Sequence, residues 1–147
     1  MSSKYKIPIQ IIELDEKSIH LIIEVKINGA PVNMIIDTGA SRTIFALSLN
    51  GDKMTTPQSS DKEQIHSTGL MADNIRNIQV IAKSFKLGKL KLKNYPVVLI
   101  DLTGINSFYK KVAGLEISGL LGGDFLQEMK AVIDYSKAVL VLKKTKR

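Results

Sequence analysis

The sequence predicts an all-β domain with one or two short helices. Stretches rich in isoleucine, valine and leucine recur at short intervals, and Asn-Gly and similar turn signals separate them. Only two short segments favour a helix. The chain has 147 residues, which fits one compact domain, so we expect a single domain over residues 1–147.

The first half of the chain is predicted to present a single carboxylate at the end of a hairpin. Its predicted strands are residues 7–14, 20–27 and 32–36, with a turn at 28–31. Asp37 directly follows the third of these strands. A short apolar segment at residues 44–49 comes next, and the polar residues 51–64 are predicted to form a loop.

The second half is predicted to continue in strands, with two helical segments among them. Its predicted strands are residues 75–85, 87–93, 97–101, 131–135 and 138–142. Leucine and lysine alternate in the second of these strands, which indicates one buried and one solvated face. Asn94-Tyr95-Pro96 is expected to end it. The predicted helices are residues 104–112 and a segment that Asp124 caps and that runs to Met129.

Composition limits the partners of the chain. The net charge is +7 with a pI near 9.6, yet no aromatic residues interleave the lysines, so no nucleic-acid partner is expected. A basic nucleic-acid-binding β-barrel stays open as an alternative on charge alone. Cysteine is absent, and His20 and His66 are isolated, so we expect neither a metal nor a cofactor. No signal peptide or membrane-length apolar run is visible; we expect no membrane partner and a cytoplasmic location, although a removed export signal would look the same.

Two segments carry the chemical information. Asp37-Thr38-Gly39 follows three apolar residues and precedes Ala40-Ser41. An Asp-initiated turn at a strand end is the alternative explanation of this segment. The second segment, residues 116–126, combines apolar residues with glycines ahead of a short helix, which is also what a buried strand feeding a helix looks like. The pairing of both, in this order, in one small β-rich chain is the specific signal.

Together these segments resemble the retropepsin family, the retroviral-type aspartic proteases and their cellular and bacterial relatives. Residues 35–41 are similar to the family's catalytic loop, and residues 117–124 are similar to its apolar-apolar-glycine signature before the C-terminal helix. The resemblance extends over about residues 20–142. It implies a closed, β-barrel-like acid protease fold with one lobe per chain. Since the chain has one Asp-Thr-Gly triplet, a homodimer would have to supply the second.

The resemblance implies an aspartic endopeptidase that cleaves a peptide or protein substrate with water activated between two copies of Asp37. Thr38 is expected to brace the loops across the dimer, and Gly39 to let the backbone approach the carboxylates. Ala40 is expected to contact substrate. Ser67-Thr68-Gly69 is the candidate flap tip, because glycine suits a segment that closes over substrate.

Three further expectations come from single residues and from the family. Ala40 lacks the hydroxyl that the two-lobed relatives place beside the charged carboxylates, so we expect a weakly acidic to near-neutral activity optimum. Arg42 and Asp124 are either an ion pair joining loop to helix or two unrelated surface charges. A catalytically silent member of the fold, serving as a dimerisation or peptide-binding module, is the alternative function.

Overall fold

A computed structural model describes residues 2–15, 17–57 and 77–145 of the chain. Within these ranges most residues are in strands, and the two α-helices are short. The elements are β1 (Ser2–Pro8), β2 (Gln10–Leu14), β3 (Ser18–Ile27), β4 (Ala30–Ile36), β5 (Ile44–Ala46), a 3-10 turn (Leu47–Leu49), β6 (Met54–Thr55), β7 (Asn77–Leu87), β8 (Leu90–Ile100), α1 (Thr103–Ala113), β9 (Gly119–Leu121), α2 (Gly123–Glu128), β10 (Val132–Asp134) and β11 (Val139–Thr145). The all-β prediction is confirmed.

The larger sheet curls back on itself. Its strand order is β2-β3-β4-β9-β5-β8-β7-β6, and β3 also pairs with β7. That extra pairing joins Lys26 to Lys86 and Ile27 to Phe85, and it closes a ring of six strands. Only two residue pairs make the closure, so the barrel-like ring is seen in part. The strands β2 and β6 lie outside the ring.

A second, three-stranded sheet has the order β1-β11-β10. The prediction of one strand over residues 7–14 is wrong, because β1 and β2 belong to different sheets. Pro8 is the last residue of β1, opposite Val139 of β11. Ile9 is buried between the two strands, and its N–H bonds the carbonyl of Ala138 at 2.8 Å. A change of sheet at this point cannot be read from apolar composition.

The β7–β8 hairpin also differs from its prediction. Leu87 ends β7, and Gly88-Lys89 forms a two-residue turn with Gly88 at a φ of +60°. Beyond the turn, β8 runs without a break through residues 94–96. Asn94 takes the left-handed conformation, which asparagine tolerates, and the pairing resumes in register after it. Pro96 lies outside the part of β8 that pairs with β5, so among the described residues β8 has a free edge on that side at this position. Proline is tolerated at such an edge because its missing N–H is not needed for pairing.

Two apolar clusters hold the fold together. The main core fills the ring and centres on Phe45, Phe85 and Phe125, each at most 1% exposed. The ring of Phe85 meets the rings of Phe45 and Phe125 edge-on, with centroids 5.2 Å and 5.8 Å apart. A smaller cluster lies on the other face of the sheet, where Tyr109 of α1 packs with Ile35 and other isoleucines. Burial of each such side chain stabilises the fold by about 1.5–3 kcal/mol.

The two helices occur where they are expected, but α2 begins differently. Asp101 accepts hydrogen bonds from the N–H and hydroxyl of Thr103 at the start of α1, and these bonds lower the pKa of its carboxyl. The N-cap of α2 is Gly122, so the prediction that Asp124 caps this helix is wrong. Asp124 instead lies in the first turn, where its charge suits the helix dipole. Among the described residues no helix is long and apolar enough to cross a membrane.

Candidate active site

Strand β4 delivers Asp37 to the surface. β4 runs parallel to β9, with Ile35 beside Leu120 and Ile36 beside Leu121. The N–H of Asp37 still donates to the carbonyl of Leu121 at 2.9 Å, although β4 itself ends one residue earlier at Ile36. Because buried isoleucines precede it, the strand end is anchored while the half-buried Asp37 side chain reaches the surface.

The loop after Asp37 is a tight turn built on its carboxylate. The N–H of Gly39 donates to Asp37 Oδ1 at 3.0 Å, and the N–H of Ala40 donates to the Asp37 carbonyl at 3.1 Å. The Asp-initiated turn considered from the sequence is therefore present, and it uses Oδ1 of the carboxylate. Thr38 and Gly39 are exposed at the tip of the loop, whereas Ala40 is half-buried. Other atoms can therefore approach the tip.

The glycines after β9 support this loop from behind. The N–H of Gly123 donates to the carbonyl of Ala40 at 2.7 Å. A Cβ atom on Gly122 would lie 2.6 Å from the carbonyl oxygen of Arg42 and 2.9 Å from that of Ala40. No side chain fits in this space. The backbone of the loop therefore rests directly on the backbone of the Gly122-Gly123 pair.

Thr43 links the loop to α2, and sequence reasoning missed it. It is 8% exposed, its hydroxyl donates to Asp124 Oδ1 at 2.7 Å, and it accepts the N–H of Gly122 at 2.9 Å. The carboxylate of Asp124 is thus held by Thr43 and by the N–H of Phe125, and not by Arg42, which is exposed. Asp124 therefore forms a hydrogen bond with the neutral hydroxyl of Thr43 and not the ion pair with Arg42 that was one of the two sequence hypotheses. A lone threonine carries no sequence signal for such a role.

A partly buried polar pair joins β3 to α1. The hydroxyl of Tyr109 is 2.6 Å from His20 Nδ1, and His20 Nε2 is 2.8 Å from the Ser18 hydroxyl. Burial, and to a lesser degree the charge of Asp37, raise the pKa of Tyr109. Helix α1 therefore lies within the electrostatic reach of the candidate catalytic carboxylate. His20 is half-buried and lies at the edge of the core.

A cleft of about 360 Å³ opens beside the loop support. It is lined by residues that include Arg42, Thr43, Tyr95, Val97 and Asp124, but not by the tip of the loop. Burial raises the pKa of Tyr95 far above its ordinary value, and the carboxylates of Glu128 and Asp124 add to the shift. The Tyr95 hydroxyl therefore stays protonated at any physiological pH.

The remaining predicted site residues are not described by the structure. Ser67, Thr68 and Gly69, the candidate flap tip, lie outside the described residues and stay a prediction. Within the described ranges no group of three or more histidine, cysteine, aspartate or glutamate side chains is arranged to hold a metal ion.

A ring of β-strands, with one Asp-Thr-Gly loop resting on a glycine pair, defines the aspartic protease class of fold. The sequence model of the aspartyl protease family matches residues 23–125, which is well over half of the chain and covers the first informative segment and all but the last residue of the second. The chain therefore belongs to the aspartyl protease family. The resemblance to retropepsin-like proteases is confirmed, and the family supports a protease function.

One solved structure resembles the fold over the whole chain. The crystal structure of a retropepsin-like aspartic protease from Rickettsia conorii matches with a TM-score of 0.50 and 19% sequence identity, covering 100% of this chain and 95% of that one. At this identity the likeness shows the fold alone. No curated protein sequence matches this chain significantly.

Proposed function

We propose that this chain is an aspartic endopeptidase that hydrolyses peptide bonds at the interface of a homodimer. The observation that carries the proposal is the Asp37 loop, which is braced from behind by Gly122 and Gly123 while Thr38 and Gly39 are exposed at its tip. A loop that is rigid behind and open in front suits a site that a second copy completes.

The need for a dimer follows from the number of carboxylates. Hydrolysis by this chemistry uses two aspartates, and the chain has one Asp-Thr-Gly triplet. A two-fold axis at the loop tip would bring Asp37 against Asp37 of a second copy, and Thr38 could then bond the opposite loop. Activity of a dilute, weakly associating protein would accordingly rise with the square of its concentration.

The paired carboxylates would divide the roles of acid and base. Two like charges held close together cannot both ionise cheaply, so the pair holds one proton and titrates as a unit. The charged aspartate takes a proton from water, and the neutral one donates to the oxygen of the scissile carbonyl. Substrate would lie extended against the Asp37 loop near Ala40, with Ser67-Thr68-Gly69 closing over it.

Cleavage of a diverse peptide mixture tests the proposal. Wild-type protein should cut peptides over part of the range from about pH 3 to 8, which brackets the carboxylate reference values. Asp37→Asn keeps the shape but removes the charge, and should lower the rate by at least about 10²–10⁴-fold. Asp52→Asn, at an exposed position away from the loop, is the matched control and should cut like wild type.

The oligomeric state decides between the proposal and its alternative. Sedimentation should show a dimer at the assay concentration. A dimer that binds peptides but cuts none of them would identify the silent binding module instead. An activity maximum below about pH 3.5, under the value of an ordinary aspartate, would contradict the expected weakly acidic to near-neutral optimum.

A further inference from the structure

Three lysines form a row across the outer face of the ring. The register places Lys26 of β3 directly opposite Lys86 of β7, and Lys86 directly opposite Lys91 of β8. All three are exposed. Neighbouring strands are about 4.8 Å apart, so the row spans about 10 Å. We call Lys26, Lys86 and Lys91 the lysine row.

The row is extended along β8, and the described residues place little opposing charge beside it. Lys93 is two residues from Lys91, so its exposed side chain is on the same face. On β3 the acidic residue Glu24 is on the same face, two residues before Lys26. Its cross-strand neighbour on β4 is the neutral Asn33. In the part of the chain that the structure describes, no carboxylate oxygen lies within 4.0 Å of a lysine of the row.

This arrangement is unfavourable for the fold itself. Like charges directly opposite one another on neighbouring strands destabilise a sheet. Scattered lysines would keep the protein equally soluble without that cost. An anionic partner that binds across all three strands would offset the repulsion.

The chemistry of the row selects among anionic partners. A second copy of the chain that met this face through its own row would place lysines against lysines, so this face does not suit self-association. Lysine ammonium groups are point charges that bind carboxylates as readily as phosphates. The row contains no arginine for bidentate phosphate binding and no aromatic ring on which nucleic-acid bases could stack. A protease acts on polypeptides, so carboxylates of the substrate are the partner that the proposed activity supplies.

We propose that the lysine row is an exosite that binds an acidic segment of the polypeptide substrate away from the cleaved bond. This proposal rests on the proposed function. Lys26 is paired with Pro31 at the start of β4, and Asp37 follows the end of that strand six residues later. At about 3.3 Å per residue, β4 separates the Lys26 end of the row from Asp37 by about 20 Å. An extended substrate needs about six residues to span that distance, so acidic runs should begin at least that far from the scissile bond.

Two peptides with the same cleavable sequence test the exosite. One carries a run of about six glutamates, joined through about ten flexible residues so that it can reach the row, and the other carries glutamines instead. At about 0.01 M ionic strength the glutamate peptide should have a KM about five- to tenfold lower, as three exposed ion pairs allow, with an unchanged kcat. The advantage should disappear at about 1 M salt.

Charge-matched variants locate the effect. Replacing the three lysines of the row by glutamine should abolish the difference between the peptides while leaving cleavage of the glutamine peptide unchanged. The control replaces three exposed lysines on other elements, Lys111, Lys137 and Lys144, and should keep the difference. Equal KM values for the two peptides with wild-type protein, or an equal loss in both variants, would overturn the assignment.

A binding measurement separates this proposal from the proposed activity. Fluorescence anisotropy with the labelled glutamate peptide and Asp37→Asn protein requires no cleavage. Tighter binding than the glutamine peptide, lost in the row variant, supports the exosite even if neither peptide is cut. Single-stranded nucleic acid that displaces the glutamate peptide at far lower concentration would reassign the row to a nucleic-acid partner.

Discussion

The contact between Gly122 and the Asp37 loop can be tested by adding one methyl group. Gly122 has an extended backbone, φ −100° and ψ −176°, so alanine is conformationally allowed there. Its Cβ would nevertheless lie 2.6 Å from the carbonyl oxygen of Arg42 and 2.7 Å from the carbonyl carbon, distances that real Cβ atoms essentially never show. Both obstacles are backbone atoms, which cannot rotate away. In Gly122→Ala the loop must therefore move off the glycine pair.

The cost can be estimated from the contacts that would be lost. Overpacking of a tight site costs about 1–3 kcal/mol, and loss of the bond from Gly123 N–H to Ala40 or from Gly122 N–H to Thr43 adds about 1 kcal/mol. We expect Gly122→Ala to lower the free energy of unfolding by about 2–4 kcal/mol and Tm by roughly 5–15 °C. Because the loop is displaced, kcat should fall by up to about 10²-fold.

The adjacent glycine supplies the control. A Cβ atom on Gly123 would lie 3.4 Å from the carbonyl oxygen of Ala40, an ordinary contact, and Gly123 is the first residue of α2. Gly123→Ala should leave Tm unchanged or raise stability by up to about 1 kcal/mol through helix propensity. Thermal unfolding by circular dichroism and peptide cleavage are measured on both variants. Equal stability of Gly122→Ala and wild type, or equal damage from the two alanines, would refute the close-contact reasoning.

Two further changes test the surroundings of the loop. Thr43→Val should lower the free energy of unfolding by about 1–3 kcal/mol, because the N–H of Gly122 loses its acceptor and Asp124 loses a donor. Thr43→Ser keeps the hydroxyl and should be as stable as wild type. Urea unfolding compares the two variants, and a valine variant as stable as wild type would show that these bonds contribute nothing. Burial raises the pKa of Tyr95 in the folded state, so as the pH rises the unfolded state loses its phenolic proton before the folded state does. The free energy of unfolding should therefore be unaffected by this group below about pH 10 and should fall as the pH rises above that value. Tyr95→Phe should show a weaker alkaline decline in Tm, and identical profiles of both proteins would contradict this origin.

Much of the candidate site is visible in the sequence because its chemistry is local. Asp37, Thr38 and Gly39 are consecutive, and the turn that they form uses hydrogen bonds among neighbours. The β-rich pattern and the short helices also follow from nearby residues, since propensity and turn chemistry act over a few positions. The family match, over residues 23–125, agrees with both signals.

The strand predictions are wrong where contacts between distant residues determine the structure. Residues 7–14 look like one strand, yet β1 pairs with β11 and β2 pairs with β3. The leucines on both sides of Gly88 look continuous, yet the chain reverses there because glycine accepts the left-handed turn conformation. In each case the local sequence is compatible with more than one strand pairing, and only contacts with the rest of the sheet determine which pairing forms.

The fold class, the Asp-Thr-Gly loop and its partner segment can be predicted from the sequence, because each depends on short patterns of side-chain type. Which backbone atoms meet depends on the tertiary structure. Thr43 and Asp124 are 81 positions apart and share one hydrogen bond, and the lysine row exists only because β3, β7 and β8 are in one register. Contacts of this kind depend on packing across the whole chain, where a single residue of register moves every side chain to the opposite face of the sheet.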